Sequence, residues 1–353
     1  MSIKFIGNKT KLLDFLIRKI MSETGLVNGT FVDLFTGTTT VAVAFKKLGF
    51  NVIANDKLES SYLYAKSGLL VNKEPTFSKL IEREEIIQKD LFDLPYNQII
   101  SELNLLQGAE GLFYNEYSPN SQHKRQYFTE SNAKKIDAIR NKIKLWEEKN
   151  LISDLERSLL LSSLLLAVNS VANVSGTYGA YLKKWYERSL QPITLNRYPL
   201  HFSDRNFEVY KEDANTLVKK LPHTDIVYID PPYTKRQYQA YYHIPETIAI
   251  GDNPKLWGKT GQRPRREDDV SNYCYKSKAG KELLDLIVNI DSKFIFLSYS
   301  SDGHITHEEI MDILSIRGTP MFWSEEYVRF KSNNVNNKRT VNEMLYCVKV
   351  ERS

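Results

Sequence analysis

The chain has 353 residues, 42% of them hydrophobic, which places it among soluble globular chains able to build one large domain or two smaller ones around real cores. Lys and Arg number 48 against 43 Asp and Glu, a formal charge of +5, which fits a polyanionic partner without requiring one. Its two cysteines, Cys274 and Cys347, lie far apart with no CxxC pairing, arguing against a disulfide framework or a structural zinc and suiting a reducing, cytoplasmic interior. The start MSIKFIGNKTK lacks a long apolar signal core. The richest apolar run, LLLSSLLLAV at 159–168, is broken by serines and falls short of the ~20 residues a bilayer needs, so no membrane partner is expected.

In chain order, KFIGNKTKLLDFL is too polar for a strand and opens a helix with lysines along one side. GTFVDLF (29–35) predicts a short strand, TGTTTVAVAFKKLGF (36–50) a turn and helix, and NVIAND (51–56) a second strand ending on an acid, which together make a βαβ unit. From about 78 to 200 the pattern turns helical. Ile136, Ile139, Ile143 and Trp146 mark one amphipathic face, and LERSLLLSSLLLAVNSVANVS is apolar nearly all round, as a central buried helix would be. Strands resume with FEVYKED (207–213), a short helix ANTLVKKL, the strand DIVYID (225–230), a long polar loop from 234 to about 275, the helix KAGKELLDLIVNI and the strand KFIFLSYS (293–300). The last stretch, EEYVRFKSNNVNNKRTVNEMLYCVKV, predicts two strands joined by an Asn-rich basic turn, a hairpin that could close an otherwise parallel sheet.

Three pieces carry chemistry. In VDLFTGTTTVA, Gly37 lets the backbone approach a ligand ahead of a helix N-terminus, and Asp56 ends the next strand where ribose hydroxyls are commonly held, so a nucleoside-bearing cofactor is the natural occupant. With one glycine and Thr38-Thr39 behind it, an ordinary βα turn is the competing reading; the missing GK[ST] excludes a P-loop. Asp213, ending a strand in YKEDAN, is either a ligand contact or a helix cap.

The strongest signal is DIVYIDPPYTKRQY. Asp230 ends an apolar strand and so places its carboxylate at the carboxyl edge of a sheet, where ligands of α/β proteins gather. Pro231 and Pro232 hold the turn extended and lack N–H donors, making it a rigid acceptor array. Tyr233 adds a flat ring able to stack on a base, and Lys235 and Arg236 stand where phosphates could lie.

These motifs make the chain resemble the Dam-like, alpha-group amino DNA methyltransferases, in the order cofactor segment, helical recognition region and DPPY. YFTESNAKKIDAIR, YGAYLKKW and KFIFLSYSSDG are also similar to a restriction-modification branch that includes FokI-type enzymes. The resemblance covers nearly the whole chain. It implies an α/β fold with a Rossmann-like S-adenosylmethionine-dependent methyltransferase sheet from 1–77 and 201–353, a C-terminal β-hairpin, and a helical DNA-recognition domain inserted at 78–200. Carried over by motif, it implies cofactor contacts at Phe5 and Lys9 (KFIGNK), Phe35 and Gly37 (LFTG), Asp56 (NDK), Asp213 (YKEDA) and Asp230, with Asp230, Pro231, Pro232 and Tyr233 catalytic. Thr38-Thr39, where the family carries a second glycine, is the departure. The implied partners are S-adenosylmethionine, double-stranded DNA and a separate restriction endonuclease, in a bacterial or phage setting.

The chemistry accounts for the acid and the carbonyl together. An exocyclic amine on adenine is a poor nucleophile because its lone pair is delocalised; two acceptors, the Asp230 carboxylate and the Pro231 carbonyl, can bind both hydrogens and aim the lone pair at a sulfonium methyl, with no metal expected. Inside a duplex the base must first be flipped out. Lys124, Arg125, Lys134, Lys135, Lys183, Lys184 and Arg188 in the helical stretch, Lys331, Lys338 and Arg339 in the hairpin, and GKTGQRPRREDD are candidates for DNA contact, with solvated surface charge the alternative for many of them. Three rival readings stay open: a cytosine-N4 methyltransferase, a protein or RNA methyltransferase, and a non-catalytic DNA-binding relative.

Overall fold

A computed structural model describes residues 9–84, 94–265, 270–328 and 340–351. Phe5, Lys331, Lys338 and Arg339 lie outside these residues. Seven strands form a single sheet: β1 (Thr30–Asp33), β2 (Asn51–Asn55), β3 (Phe207–Tyr210), β4 (Thr224–Ile229), β5 (Ser292–Ser300), β6 (Pro320–Val328) and β7 (Thr340–Lys349). Their order is β3-β2-β1-β4-β5-β7-β6. The first five are parallel, and β7 inserts antiparallel between β5 and β6, so the C-terminal strands close an otherwise parallel, Rossmann-like sheet as a hairpin.

Alternation along the strands builds two apolar layers. Phe31, Val52, Ile226, Tyr228 and Phe296 face one side, under α1 (Leu13–Thr24) and α2 (Thr40–Lys47). Val32, Ile53, Val227, Ile229 and Ile295 face the other. The described residues form thirteen α-helices. Those following α2 are α3 (Glu59–Ala65), α4 (Ser78–Arg83), α5 (Pro95–Leu105), α6 (Leu112–Tyr117), α7 (Glu130–Glu148), α8 (Asp154–Val171), α9 (Ala214–Leu217), α10 (Tyr238–Tyr241), α11 (His243–Ile250), α12 (Lys276–Asn289) and α13 (His307–Ser315). The second layer is covered by α9, α12 and α13, through Leu217, Leu283, Leu286 and Ile310.

The helical stretch has a core of its own. α8 opens on a capping box, Ser153 Oγ accepting from the Glu156 N–H while Glu156 Oε2 accepts from the Ser153 N–H. Its all-round apolar surface is buried against α3, α5 and α7, and the serines that interrupt it are hydrogen-bonded: Ser162 pairs with Ser67 at 2.9 Å and Ser163 with the Tyr96 hydroxyl at 2.8 Å. The same core takes in Leu63 and Tyr64 from α3, and Ile244, Ile248 and Ala249 from α11. The segment after the two prolines, expected as one long loop, therefore contains a helix that pins it to the helical unit. Its HIPETIAI sequence is too short to reveal a helical period.

Candidate active site

β1 and β4 are neighbours although two strands, β2 and β3, separate them in the chain, so the loops leaving their carboxyl ends diverge and open a crevice at the switch of strand order. A cleft of about 870 Å³ lies there. Its walls include Phe35, Gly37, Val41 and Leu58 on the cofactor-motif side and Asp230, Pro232, Gln237 and Tyr238 on the other, with Lys9, Asp33 and Asp56 at the junction.

The loop after β1 is held by its neighbours: the Thr36 N–H donates to the Asn55 carbonyl at 2.9 Å and the Gly37 N–H to Asp56 Oδ2 at 2.8 Å. Asp56 Oδ1 accepts in turn from the Leu58 N–H at 3.0 Å. Burial raises the Asp56 pKa to about 6 against these hydrogen bonds. Gly37 has φ 50°, and Thr39, fully buried at the N-terminus of α2, has φ 63°. A β-branched residue in that left-handed region carries strain on the order of 1–3 kcal/mol, at one of the two positions where the family's second glycine gives way to threonine.

Lys9, implied as a cofactor contact by its KFIGNK motif, is turned inward, only 4% exposed, and lines the cleft rather than the solvated side of a helix. Its Nζ lies 3.0 Å from Asp230 Oδ1 and 2.5 Å from Glu343 Oε1. Burial alone would lower its pKa, but the two carboxylates hold it well above the usual lysine range. Asp230 is raised to about 7, by burial first and by Glu343, against the pull of Lys9. Asp33, the last residue of β1 and 1% exposed, is raised to about 8 by burial and by Asp230. Sequence reasoning passed over Asp33 and Glu343. Asp33 carried a signal, a carboxylate inside the apolar run TFVDLF; Glu343, 113 positions from Asp230, gave none.

The other expected residues divide. Pro231 is buried and Pro232 lines the cleft. Tyr233 is 3% exposed with its ring edge-on to Tyr299 at 5.9 Å between centroids, and its carbonyl accepts from the His304 N–H; the ring on the cleft wall is that of Tyr238. Asp213 caps α9, accepting from the Asn215 and Thr216 N–H groups, and faces Lys57, which lines the cleft, at 3.6 Å. Lys124, Lys183, Lys184 and Lys235 are exposed, whereas Arg236 is half-buried over the Tyr241 ring.

Three cations expected to face DNA are structural instead. Arg125 is 2% exposed: its guanidinium pairs with Glu116 Oε2 at 2.5 Å and donates to the carbonyls of Glu116, Gly258 and Lys259, clamping the turn whose Gly258 and Gly261 need φ of 70° and 69°. Lys135 donates to the Asn104 and Leu106 carbonyls at the end of α5, and Arg188 to four carbonyls at and beyond the end of α8. Positive charge in a sequence does not reveal which carbonyls will need a donor.

A Rossmann-like sheet whose crevice joins a glycine turn, a strand-ending acid and an Asp-Pro-Pro-Tyr edge defines a nucleoside-cofactor transferase class. The chain belongs to the D12 class N6 adenine-specific DNA methyltransferases, the family matching residues 5–313. It is 36% identical to the Type II methyltransferase M.FokI of Planomicrobium okeanokoites over 98% of this chain but only 52% of that protein, so it spans about half of that relative's length. It is 34% identical to M.NlaIII of Neisseria lactamica over 95% of both chains, and 32% identical to M.CviAII of Paramecium bursaria Chlorella virus 1 over 99% of both.

Proposed function

We propose that this protein is a site-specific DNA adenine-N6 methyltransferase that uses S-adenosylmethionine and serves a restriction-modification system. The observation that carries the reading is Asp230 at the end of β4, on the wall of the β1/β4 crevice, with the Lys9 ammonium 3.0 Å from its Oδ1. The relatives' names as Type II methyltransferases support the restriction-modification setting, in which a separate endonuclease would cut the same sequence.

The donor set suits the cofactor. Acids Asp33 and Asp230 crowd one cleft, each with its pKa raised to about 8 and about 7, which favours a cationic ligand; Phe35, Val41 and Leu58 supply apolar surface for a nucleoside. S-adenosylmethionine, when bound, supplies an electrophilic methyl group on a sulfonium centre. Phe35, Gly37 and Asp56, with Lys9 and Asp33, are the residues that would hold it, Asp56 chiefly by fixing the Gly37 loop. Phe5 belongs to the same set by motif.

The Asp230 carboxylate and the Pro231 carbonyl would accept the two hydrogens of the adenine amine, restoring a lone pair on nitrogen and fixing its direction. Asp230 must be ionised to do this, so turnover should rise with pH through about 7. With Tyr233 packed on Tyr299, stacking on a flipped base requires that ring to leave its present contact or passes to Tyr238 on the cleft wall. Residues 78–200 would present the DNA sequence, with exposed Lys124, Lys183 and Lys184 on that unit and Lys235 beside the prolines on the phosphates; Lys338 and Arg339 are further candidates by sequence.

The deciding experiment incubates the purified protein with tritiated S-adenosylmethionine and duplex DNA of mixed sequence, then digests to nucleosides. N6-methyladenine as the labelled product is expected. Label in N4-methylcytosine would move the activity to cytosine, and label in transfer RNA but not in duplex DNA would overturn the DNA reading.

A further inference from the structure

Glu343 lies on β7, outside the span that matches the family, yet it is 1% exposed and reaches the reacting edge of the sheet. The antiparallel register sets Glu343 opposite Ser300 on β5, and the Ser298 hydroxyl donates to Glu343 Oε1 at 2.7 Å. That same oxygen is 2.5 Å from Lys9 Nζ, against 3.0 Å for Asp230 Oδ1. Glu343 is absent from the residues lining the cleft, so it acts on a bound base indirectly, through Lys9 and through its own field on Asp230.

A lysine bound to Asp230 alone would stabilise its charge but would also occupy the oxygen that an amine needs. A second carboxylate behind the lysine changes this balance. We propose that Glu343 is a positioning residue for Asp230: it draws the Lys9 ammonium toward β7, so that Lys9 divides its charge between the two carboxylates and leaves Asp230 available as a hydrogen-bond acceptor.

Among the described residues, the titratable groups coupled to Asp230 are Lys9 ahead of α1, Asp33 at the end of β1, Tyr228 on β4, Glu343 on β7 and Tyr238 after the prolines, while Tyr233 acts on Lys9. Of these, Lys9 favours the ionised form of Asp230, while Glu343 and burial oppose it. Removing the Glu343 charge therefore makes Asp230 more acidic, a weaker acceptor and more tightly held by Lys9.

The proposal rests on the adenine reading, and the test separates the two. In the full chain, Glu343→Gln should lower kcat about ten-fold with the DNA KM within about two-fold, and should move the acid limb of the kcat profile down by about one pH unit. Glu343→Asp, which keeps the charge, should return the limb toward its wild-type position. Unchanged kcat and limb would overturn the proposal, as would a loss of kcat without movement of the limb, because a purely structural role predicts the latter. Carboxyl-carbon NMR of the ligand-free protein gives a readout independent of activity. Asp230, assigned with Asp230→Asn, should take up its proton near pH 7 in the wild type and at lower pH in Glu343→Gln; an unmoved Asp230 titration would overturn the role. A wild-type protein that transfers no methyl group sinks the adenine reading, while the titration still decides what Glu343 does.

Discussion

The sheet edge and the helical unit both bury charge, and they use it in opposite ways. In the helical unit the buried charges close on partners: Arg263 grips Asp252 through two bonds of 2.7 and 2.8 Å, Asp137 accepts from the Phe113 and Tyr114 N–H groups, and Glu246 accepts the Glu59 and Ser60 N–H groups opening α3. At the sheet edge Asp230 and Glu343 crowd round the buried Lys9, with Asp33 close enough to Asp230 for its own pKa to be raised, and Asp33 Oδ1 and Glu343 Oε2 find no hydrogen-bond partner among the described residues. Satisfied charge fixes architecture; unbalanced charge is a standing preference for a ligand.

The sharpest way to break the contrast is Asp230→Ala. Methyl transfer should fall by about 10³-fold or more while the melting temperature holds or rises, because a crowded carboxylate is removed. Near wild-type turnover in the tritium assay would place the chemistry elsewhere.

Next comes a pH effect in the helical unit. His243 is 1% exposed, its Nε2 2.8 Å from the Tyr178 carbonyl, and burial depresses its pKa to about 4. The folded protein keeps this ring neutral while the unfolded chain protonates it near 6.5, so the contribution is complete above about pH 6.5 and is lost as pH falls toward 4. Denaturant titrations should show a decline on the order of 3 kcal/mol across that window, flattened in His243→Gln. No flattening would mean that other groups govern the acid limb.

Arg125→Ala should cost about 2–3 kcal/mol, read as a lower denaturation midpoint, because the carbonyls of Gly258 and Lys259 lose their donor; Glu116 is partly exposed and can rehydrate. Methyl transfer by the folded fraction should persist. A loss of DNA affinity at unchanged stability would return Arg125 to the DNA surface. The smallest effect is expected from exposed Lys183 and Lys184: replacing both with Ala should weaken DNA binding and lower the slope of log affinity against log salt by up to about 1.8. An unchanged slope would remove them from the phosphate path.

Much of the fold was legible because periodicity is a local signal. Alternation announced β1 to β5 and the hairpin, and the Ile136–Trp146 spacing announced α7. α11 and α13 were missed because their short segments, HIPETIAI and HEEIMDILS, sit among loops where a helical period has no room to repeat. At the site, Asp230, Gly37 and Asp56 could be found because each ends or follows a strand. Asp213, a cofactor contact by motif and by itself either a ligand contact or a cap, has its carboxylate joined to the first N–H groups of α9.

What the chain alone determined is the set of elements and the chemistry at their ends: strand, glycine turn, strand-ending acid, and an acid followed by two prolines, each a local signal of a few residues. What only the tertiary structure decided is which charges meet. Lys9, Asp230 and Glu343 come from three distant parts of the chain and share one buried point, while Arg125, Lys135 and Arg188, alike in sequence to any surface cation, fold inward onto backbone carbonyls. Electrostatic partnership depends on distance through space, which sheet order and helix packing set and sequence separation does not.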